Sequence, residues 1–198
     1  MTSPGPSATR GPSATRGSTD TPGPSDTPGP SATPGPLRPL TPADAEQIAG
    51  WRYPPPFDLY DSSDDPSGYD PPDQDGNGFW VVDAADGSGV VAFVCLGPEG
   101  RVPGQEPERD TLDVGMGIRP DAVSRGVATA IVPALLDEVG TRMAPSRLRT
   151  AVAAFNERSL RLCRSAGLVE RRRFVGPADR EFVELEADLD TLRRGAGT

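Results

Sequence analysis

Two neighbouring stretches carry residue types and spacings that could do chemistry. The first runs Thr111-Leu112-Asp113-Val114-Gly115-Met116-Gly117-Ile118-Arg119-Pro120 and continues, after Asp121 and Ala122, as Val123-Ser124-Arg125-Gly126-Val127-Ala128-Thr129. A β-branched run closed by proline, a glycine-punctuated loop and an apolar-periodic segment reaching Gly140 read as strand, loop and helix. The first turn of a helix has backbone N–H groups without intrahelical partners and a partial positive charge, so it can hold a phosphate or pyrophosphate. Small residues at Gly126 and Ala128 let an anion reach that backbone. Two commoner phosphate loops are excluded. A nucleoside-triphosphatase loop needs a lysine after its last glycine, and this chain has no lysine. A dinucleotide fingerprint needs a third glycine, where Gly115-Met116-Gly117 leads instead to Pro120. Taken alone, the turn is equally compatible with glycines that serve only geometry.

The second stretch follows at once. Leu148-Arg149-Thr150-Ala151-Val152 reads as a strand, and Asn156 is placed to cap the N-terminus of a helix. Leu160 and Cys163 share one face of that helix, with Phe155 or Leu162 nearby, and Gly167 is placed to end it.

Together these stretches resemble the Gcn5-related N-acetyltransferase (GNAT) superfamily, whose first signature has the form Arg/Gln-x-x-Gly-x-Gly/Ala. Gly126 and Ala128 occupy its small positions; Val123 stands where Arg or Gln is commonest, and Arg125 directly precedes the glycine. Asn156, Ser159 and Gly167 match the second signature, Asn-x-x-Ser/Ala-x-x-x-Tyr-x-x-x-Gly-Phe. Leu168 replaces its aromatic, and Cys163 stands where many relatives carry a Tyr proposed to protonate the departing thiolate. The phrase Trp51-Arg52-Tyr53-Pro54-Pro55-Pro56-Phe57-Asp58-Leu59-Tyr60-Asp61 is similar to an opening in bacterial members loosely related to ribosomal-protein alanine N-acetyltransferases. The resemblance covers Leu37 to Leu189.

It implies one α/β (α+β) domain with a mixed central sheet of six to seven strands flanked by helices. It also implies acetyl-CoA as co-substrate, with no metal. The N–H groups of Arg125, Gly126, Val127, Ala128 and Thr129 would hold the pyrophosphate, aided by the Arg125 side chain. The backbone around Met116, Gly117 and Ile118 would pair with the pantetheine amides, in a gap where this strand and the one at Leu148 splay apart. Asn156 would reach the pantetheine arm, a role that can coexist with helix capping.

Acetyl transfer to an amine further needs a neutral nucleophile, a stabilised oxyanion and a proton for the leaving thiolate. Asp113 is the carboxylate nearest the central strand. Its face is opposite that of Val114 and Met116, and it reads as a base or as a surface or sheet-edge carboxylate. Cys163 reads as an acid, a thiol with an ordinary pKa of about 8.5, or as buried packing. Asp58 and Tyr60 open a loop to Asp75 that carries seven aspartates, which either borders the acceptor site and concentrates an amine or is simply solvated.

The elements that must position these groups are legible around them. Leu37 to Leu40 is a first strand, and Thr41 with Pro42 starts a helix. Strands cover Phe79 to Asp83 and Val90 to Leu96, with Asp86-Gly87 as their turn. Val169 to Val175 and Arg180 to Glu186 form a closing antiparallel pair joined by Pro177-Ala178-Asp179. Pro133 falls inside the helix after Ala128, which predicts a bend or a late helix start.

Residues 37–190 therefore read as one acetyltransferase domain and 191–198 as a flexible end. Residues 1–36 repeat a hexad with Gly5, Gly11, Gly17, Gly23, Gly29 and Gly35, too frequent in Pro and too poor in apolar residues to order itself. Collagen needs glycine at every third position, so a triple helix is excluded. The net charge of −9 disfavours a nucleic-acid surface and suits a cationic partner. No apolar run is long enough to span a bilayer. Cys95 and Cys163, with no histidine in the chain and no secretory signal, suggest reduced thiols in a cytoplasm. The expectation is a cytoplasmic N-acetyltransferase, monomer or homodimer, acting on a primary amine of a small molecule or a protein N-terminus. The alternative is a non-catalytic acyl-CoA sensor of the same fold.

Overall fold

A computed structural model describes residues 34–61 and 65–196; the hexad repeats up to residue 33 lie outside the described residues. In chain order the elements are β1 (Pro34–Pro39), α1 (Pro42–Ala49), β2 (Gly78–Ala84), β3 (Val90–Leu96), β4 (Thr111–Ile118), α2 (Val127–Arg142), β5 (Arg147–Ala153), α3 (Glu157–Ser165), β6 (Val169–Val175), β7 (Glu181–Asp188) and α4 (Leu189–Ala196). Each follows from local sequence. Thr41 anchors α1 by donating its N–H and its hydroxyl to Asp44 Oδ2, at 2.8 and 2.7 Å. The Asp86-Gly87 turn closes β2 onto β3, with Gly87 N–H on Ala84 O at 3.0 Å. Asn156 caps α3 by accepting Ser159 N–H at 3.2 Å. Gly167 ends that helix at φ +102.

The seven strands form one mixed sheet in the order β1-β2-β3-β4-β5-β7-β6. All neighbours are antiparallel except β4 and β5, which are parallel and joined by the crossover helix α2. The helices cover the sheet unequally. Leu112, Leu148, Ile131, Leu135, Val139, Leu189 and Leu192 form the main core between β4, β5, α2 and α4. Ile48, Trp51, Phe79, Val81 and Cys95 bury α1 on the other face, and Leu160 seats α3 on Val152, Val183 and Leu185.

The structure departs from sequence expectation at three places. β1 begins at Pro34, so the last three residues assigned to the tail belong to the sheet, where Pro34 is in register with Ala84. The C-terminal stretch expected to be flexible is helical to Ala196, because Leu189 and Leu192 find the α2 core. The expected closing pair forms, β6 antiparallel to β7, and β7 also pairs with β5. Helix α2 starts at Val127 and runs unbroken through Pro133, its seventh residue. A late start is thus overturned. Burial of Ile131, Leu135 and Leu136 on either side holds the turn that the missing N–H weakens.

Candidate functional site

Among the described residues, the only parallel pair in the sheet is also its shortest ladder. β4 and β5 are in register over Thr111↔Arg147, Leu112↔Leu148 and Asp113↔Arg149, and then part. Beyond that point each strand keeps its outer partner and loses its inner one. Arg119 N–H donates to Val91 O at 2.9 Å, so by antiparallel alternation residues 115, 117 and 119 bond to β3. Val114, Met116 and Ile118 turn their N–H and C=O groups toward the gap. On the far lip, Ala154 N–H donates to Glu181 O at 2.8 Å, which leaves Ala151 and Ala153 facing the gap. Two open backbone edges face each other, and an extended amide-bearing chain fits between them as an added strand does. Of the three residues expected to line it, Met116 and Ile118 do. Gly117 turns its backbone to β3, and a Cβ there would lie 2.2 Å from the Phe93 ring, so its smallness serves packing.

Above the gap stands the N-terminal turn of α2. Gly126 occupies the cap position at φ +80, where other residues are strained, and a Cβ there would meet nothing within 4 Å. Backbone conformation requires the glycine here. The N–H groups of Gly126, Val127, Ala128 and Thr129 have no acceptor among the described residues, while Ala130 N–H returns to Gly126 O at 3.1 Å. Arg125 differs from expectation. Its N–H is spent on Ala122 O at 3.3 Å, leaving its exposed side chain as its contribution. A residue that sequence reasoning missed ties this turn to α3: Arg158 Nη1 donates to Ser124 Oγ at 2.8 Å.

Asp113 marks the vertex of the gap. It lies on the face of Gly115 and Gly117, fully buried, which overturns the surface or sheet-edge reading. Arg149 Nε donates to its Oδ1 at 2.7 Å and Arg101 Nε to its Oδ2 at 2.8 Å. Arg149 also reaches Glu106 O at 2.8 Å and Glu184 at 3.7 Å. Glu184 is held in turn by Gln105 at 2.8 Å and Arg172 at 3.0 Å. Both Asp113 oxygens are therefore committed to guanidinium groups, which argues for a structural lock in place of a proton acceptor. Cys163 packs beside Val152, Leu160 and Val183, and burial pushes its thiol up to about 11. That is the packing alternative, and a poor proton donor at neutral pH.

Segment 51–61 brings two phenols to the gap. Its two tyrosines sit on opposite lips of the gap. The Tyr53 hydroxyl donates to Ile118 O at 2.8 Å. The Tyr60 hydroxyl accepts from Ala153 N–H at 3.2 Å and from Asn156 Nδ2 at 3.3 Å. Phe155 packs between Phe57, edge-on at 5.6 Å, and Tyr60, tilted at 6.2 Å. Burial raises both phenols above their ordinary range. Asp58 is exposed on the same short turn, and Asp61 accepts Tyr53 N–H at 2.7 Å. The acidic loop does not stay together, however. Asp70 and Asp73 lie near the start of β2, where Asp73 shares a hollow with Trp80 and Arg142. The start of β2 is level with Leu96 and hence with Val114, the closed end of the gap. Among the described residues no group of His, Cys, Asp and Glu is arranged to hold a metal ion, and no helix is long and apolar enough to cross a membrane.

The comparisons agree with this geometry. Residues 36–169 match the acetyltransferase (GNAT) domain model, and the chain belongs to that family. Members of this family use acetyl-CoA and act on amine acceptors. A chimera of the Vibrio cholerae spermidine N-acetyltransferase SpeG and hSSAT has the same fold, with a TM-score of 0.61 at 17% identity over 81% of this chain and 98% of its own. A mutant of the Vibrio cholerae enzyme gives 0.60 at 15% identity, over 82% and 97%. A GNAT-family acetyltransferase from Bacillus anthracis gives 0.58 at 12%, over 78% and 94%. No curated protein sequence matches the chain.

Proposed function

We propose that this protein is an acetyl-CoA-dependent N-acetyltransferase that modifies a primary amine, on a small molecule or a protein N-terminus, in the cytoplasm. One observation carries the reading: two backbone edges without a strand partner, at Met116 and Ile118 and at Ala151 and Ala153, where Ile118 O meets the Tyr53 hydroxyl and Ala153 meets Tyr60 and Asn156, open at the strand ends next to the N–H groups of Gly126–Thr129, which have no acceptor among the described residues. An acyl-pantetheine arm needs the first and a pyrophosphate needs the second. Val127, Ala128 and Thr129, with the Gly126 N–H and the Arg125 side chain, would hold the pyrophosphate. Met116 and Ile118 would orient the arm, and Asn156 would bound it from α3. Bound there, acetyl-CoA supplies an activated acetyl group as a thioester. The strong negative charge of the chain favours a cationic acceptor. Spermidine, named in the Vibrio cholerae structures, is a sensible first amine to try.

A second reading, an acyl-CoA sensor without turnover, is favoured by the commitment of Asp113 to Arg149 and Arg101 and by the burial of Cys163. The test separates the two. Thermal stabilisation by acetyl-CoA is measured first, then free-thiol release against an amine panel that includes spermidine and short peptides. Stabilisation with thiol release supports the enzyme. Stabilisation without release supports the sensor, and no stabilisation removes the acyl-CoA site.

A further inference from the structure

Tyr60 holds its hydroxyl in the gap with its proton unspent. A phenolic oxygen has two lone pairs and one proton. Here both lone pairs face donors, Ala153 N–H at 3.2 Å and Asn156 Nδ2 at 3.3 Å. Among the described residues nothing accepts the proton. The geometry is fixed from both sides. Asn156 Oδ1 is taken by Ser159 N–H at 3.2 Å, so its amide must present nitrogen to Tyr60. Phe155 against the Tyr60 ring, and Phe57 behind Phe155, restrict the phenol from swinging away. Ala153 is the last residue of β5 and its N–H faces the open half of the gap. Two donors onto the oxygen polarise the O–H bond and strengthen it as a donor.

We propose that the Tyr60 hydroxyl is the hydrogen-bond donor to the sulfur released when the thioester is cleaved, an inference that rests on the acetyl-transfer reading. In that reaction the amine nitrogen bonds the acetyl carbon, the carbon–sulfur bond breaks, and its electron pair stays on sulfur. The Tyr60 O–H stabilises the developing thiolate, and the proton shed by the amine, relayed through water, converts it to free thiol. Tyr60 ends as it began. Burial keeps its phenol protonated at neutral pH, which suits a persistent donor. Neither Asp113, tied to two arginines, nor Cys163, half-buried against Leu160 and Val152 with its thiol pushed up, suits this role.

Two variants test it. Tyr60→Phe should bind acetyl-CoA within about threefold of wild type and release thiol roughly a hundredfold more slowly. Tyr60→3-fluorotyrosine gives a fluorine resonance beside the hydroxyl that should shift differently with coenzyme A and with its desulfo analogue. Turnover of Tyr60→Phe within threefold of wild type overturns the proposal. So does a loss of affinity as large as the loss of rate, or identical fluorine shifts with the two ligands. Wild-type protein that releases no thiol with any amine removes the acetyl-transfer reading itself, and the role of Tyr60 falls with it.

Discussion

Arg149 Nε lies 2.7 Å from Asp113 Oδ1, across the last residue pair that β4 and β5 share before they diverge, and both side chains are almost wholly buried at 4% and 2% exposure. The ion pair sits where the backbone ladder stops. Removing Asp113 takes the shortest ion pair from buried Arg149 and leaves it only the longer contacts to Glu108 at 3.3 Å and Glu184 at 3.7 Å; breaking a buried pair typically costs about 3–5 kcal/mol. Asp113→Ala should therefore lower unfolding free energy by about that much in urea titrations. A variant of unchanged stability that had lost only its turnover would return Asp113 to the role of base.

Gly126→Ala probes the phosphate turn. The added methyl meets open space, so the effect comes from backbone strain at φ +80, about 1–2 kcal/mol. The expected outcome is a stability loss of that size together with weaker thermal stabilisation by acetyl-CoA. Relief of strain by moving the turn would misdirect the N–H groups of Val127 and Ala128. Stabilisation equal to wild type would show that the turn does not hold the ligand.

Cys163→Ala should keep full acetyl-transfer rate and lose about 1 kcal/mol of stability or less, the cost of removing a small half-buried side chain. With its thiol pushed up to about 11, Cys163 should also alkylate slowly in native protein at pH 7.5 and rapidly once denatured. Fast native alkylation would contradict the packing.

Asp44 gives a pH prediction with a definite sign. Its hydrogen bonds with Arg38 and Thr41 hold its carboxyl at about 2, below the ordinary value of 3.8. A depressed carboxylate contributes stability that is present above its unfolded pKa and is lost as pH falls through the folded one. About 2 kcal/mol should therefore disappear between pH 4 and pH 2, and the acid limb of the stability curve should flatten in Asp44→Asn. An unchanged acid limb in that variant would assign the loss to other carboxylates.

What was legible in the sequence was local. Asn156 and Gly167 mark the ends of α3 because caps act within a few residues, and Asp86-Gly87 closes β2 onto β3 for the same reason. The GNAT signatures located the turn at Gly126 because its conformation is written in residue type. What was not legible spans the chain. Asp113 is locked by Arg149, which lies 36 positions away. A lone arginine inside the apolar run Leu148–Val152 was the available signal that a buried carboxylate needed a partner. Tyr60 meets Ala153 and Asn156 across more than ninety residues, and no periodicity reports that. The insertion of β7 between β5 and β6 is likewise invisible, since a strand's neighbours depend on the whole fold.

The three-residue ladder between β4 and β5 has one more consequence. Four antiparallel strands lie on one side of it and three on the other, each group bonded internally along nearly its whole length. Backbone bonding barely connects the groups, so side chains and α2 do that work. Native-state hydrogen exchange should thus resolve two cooperative units of different opening free energy, with the boundary at Asp113 and Arg149.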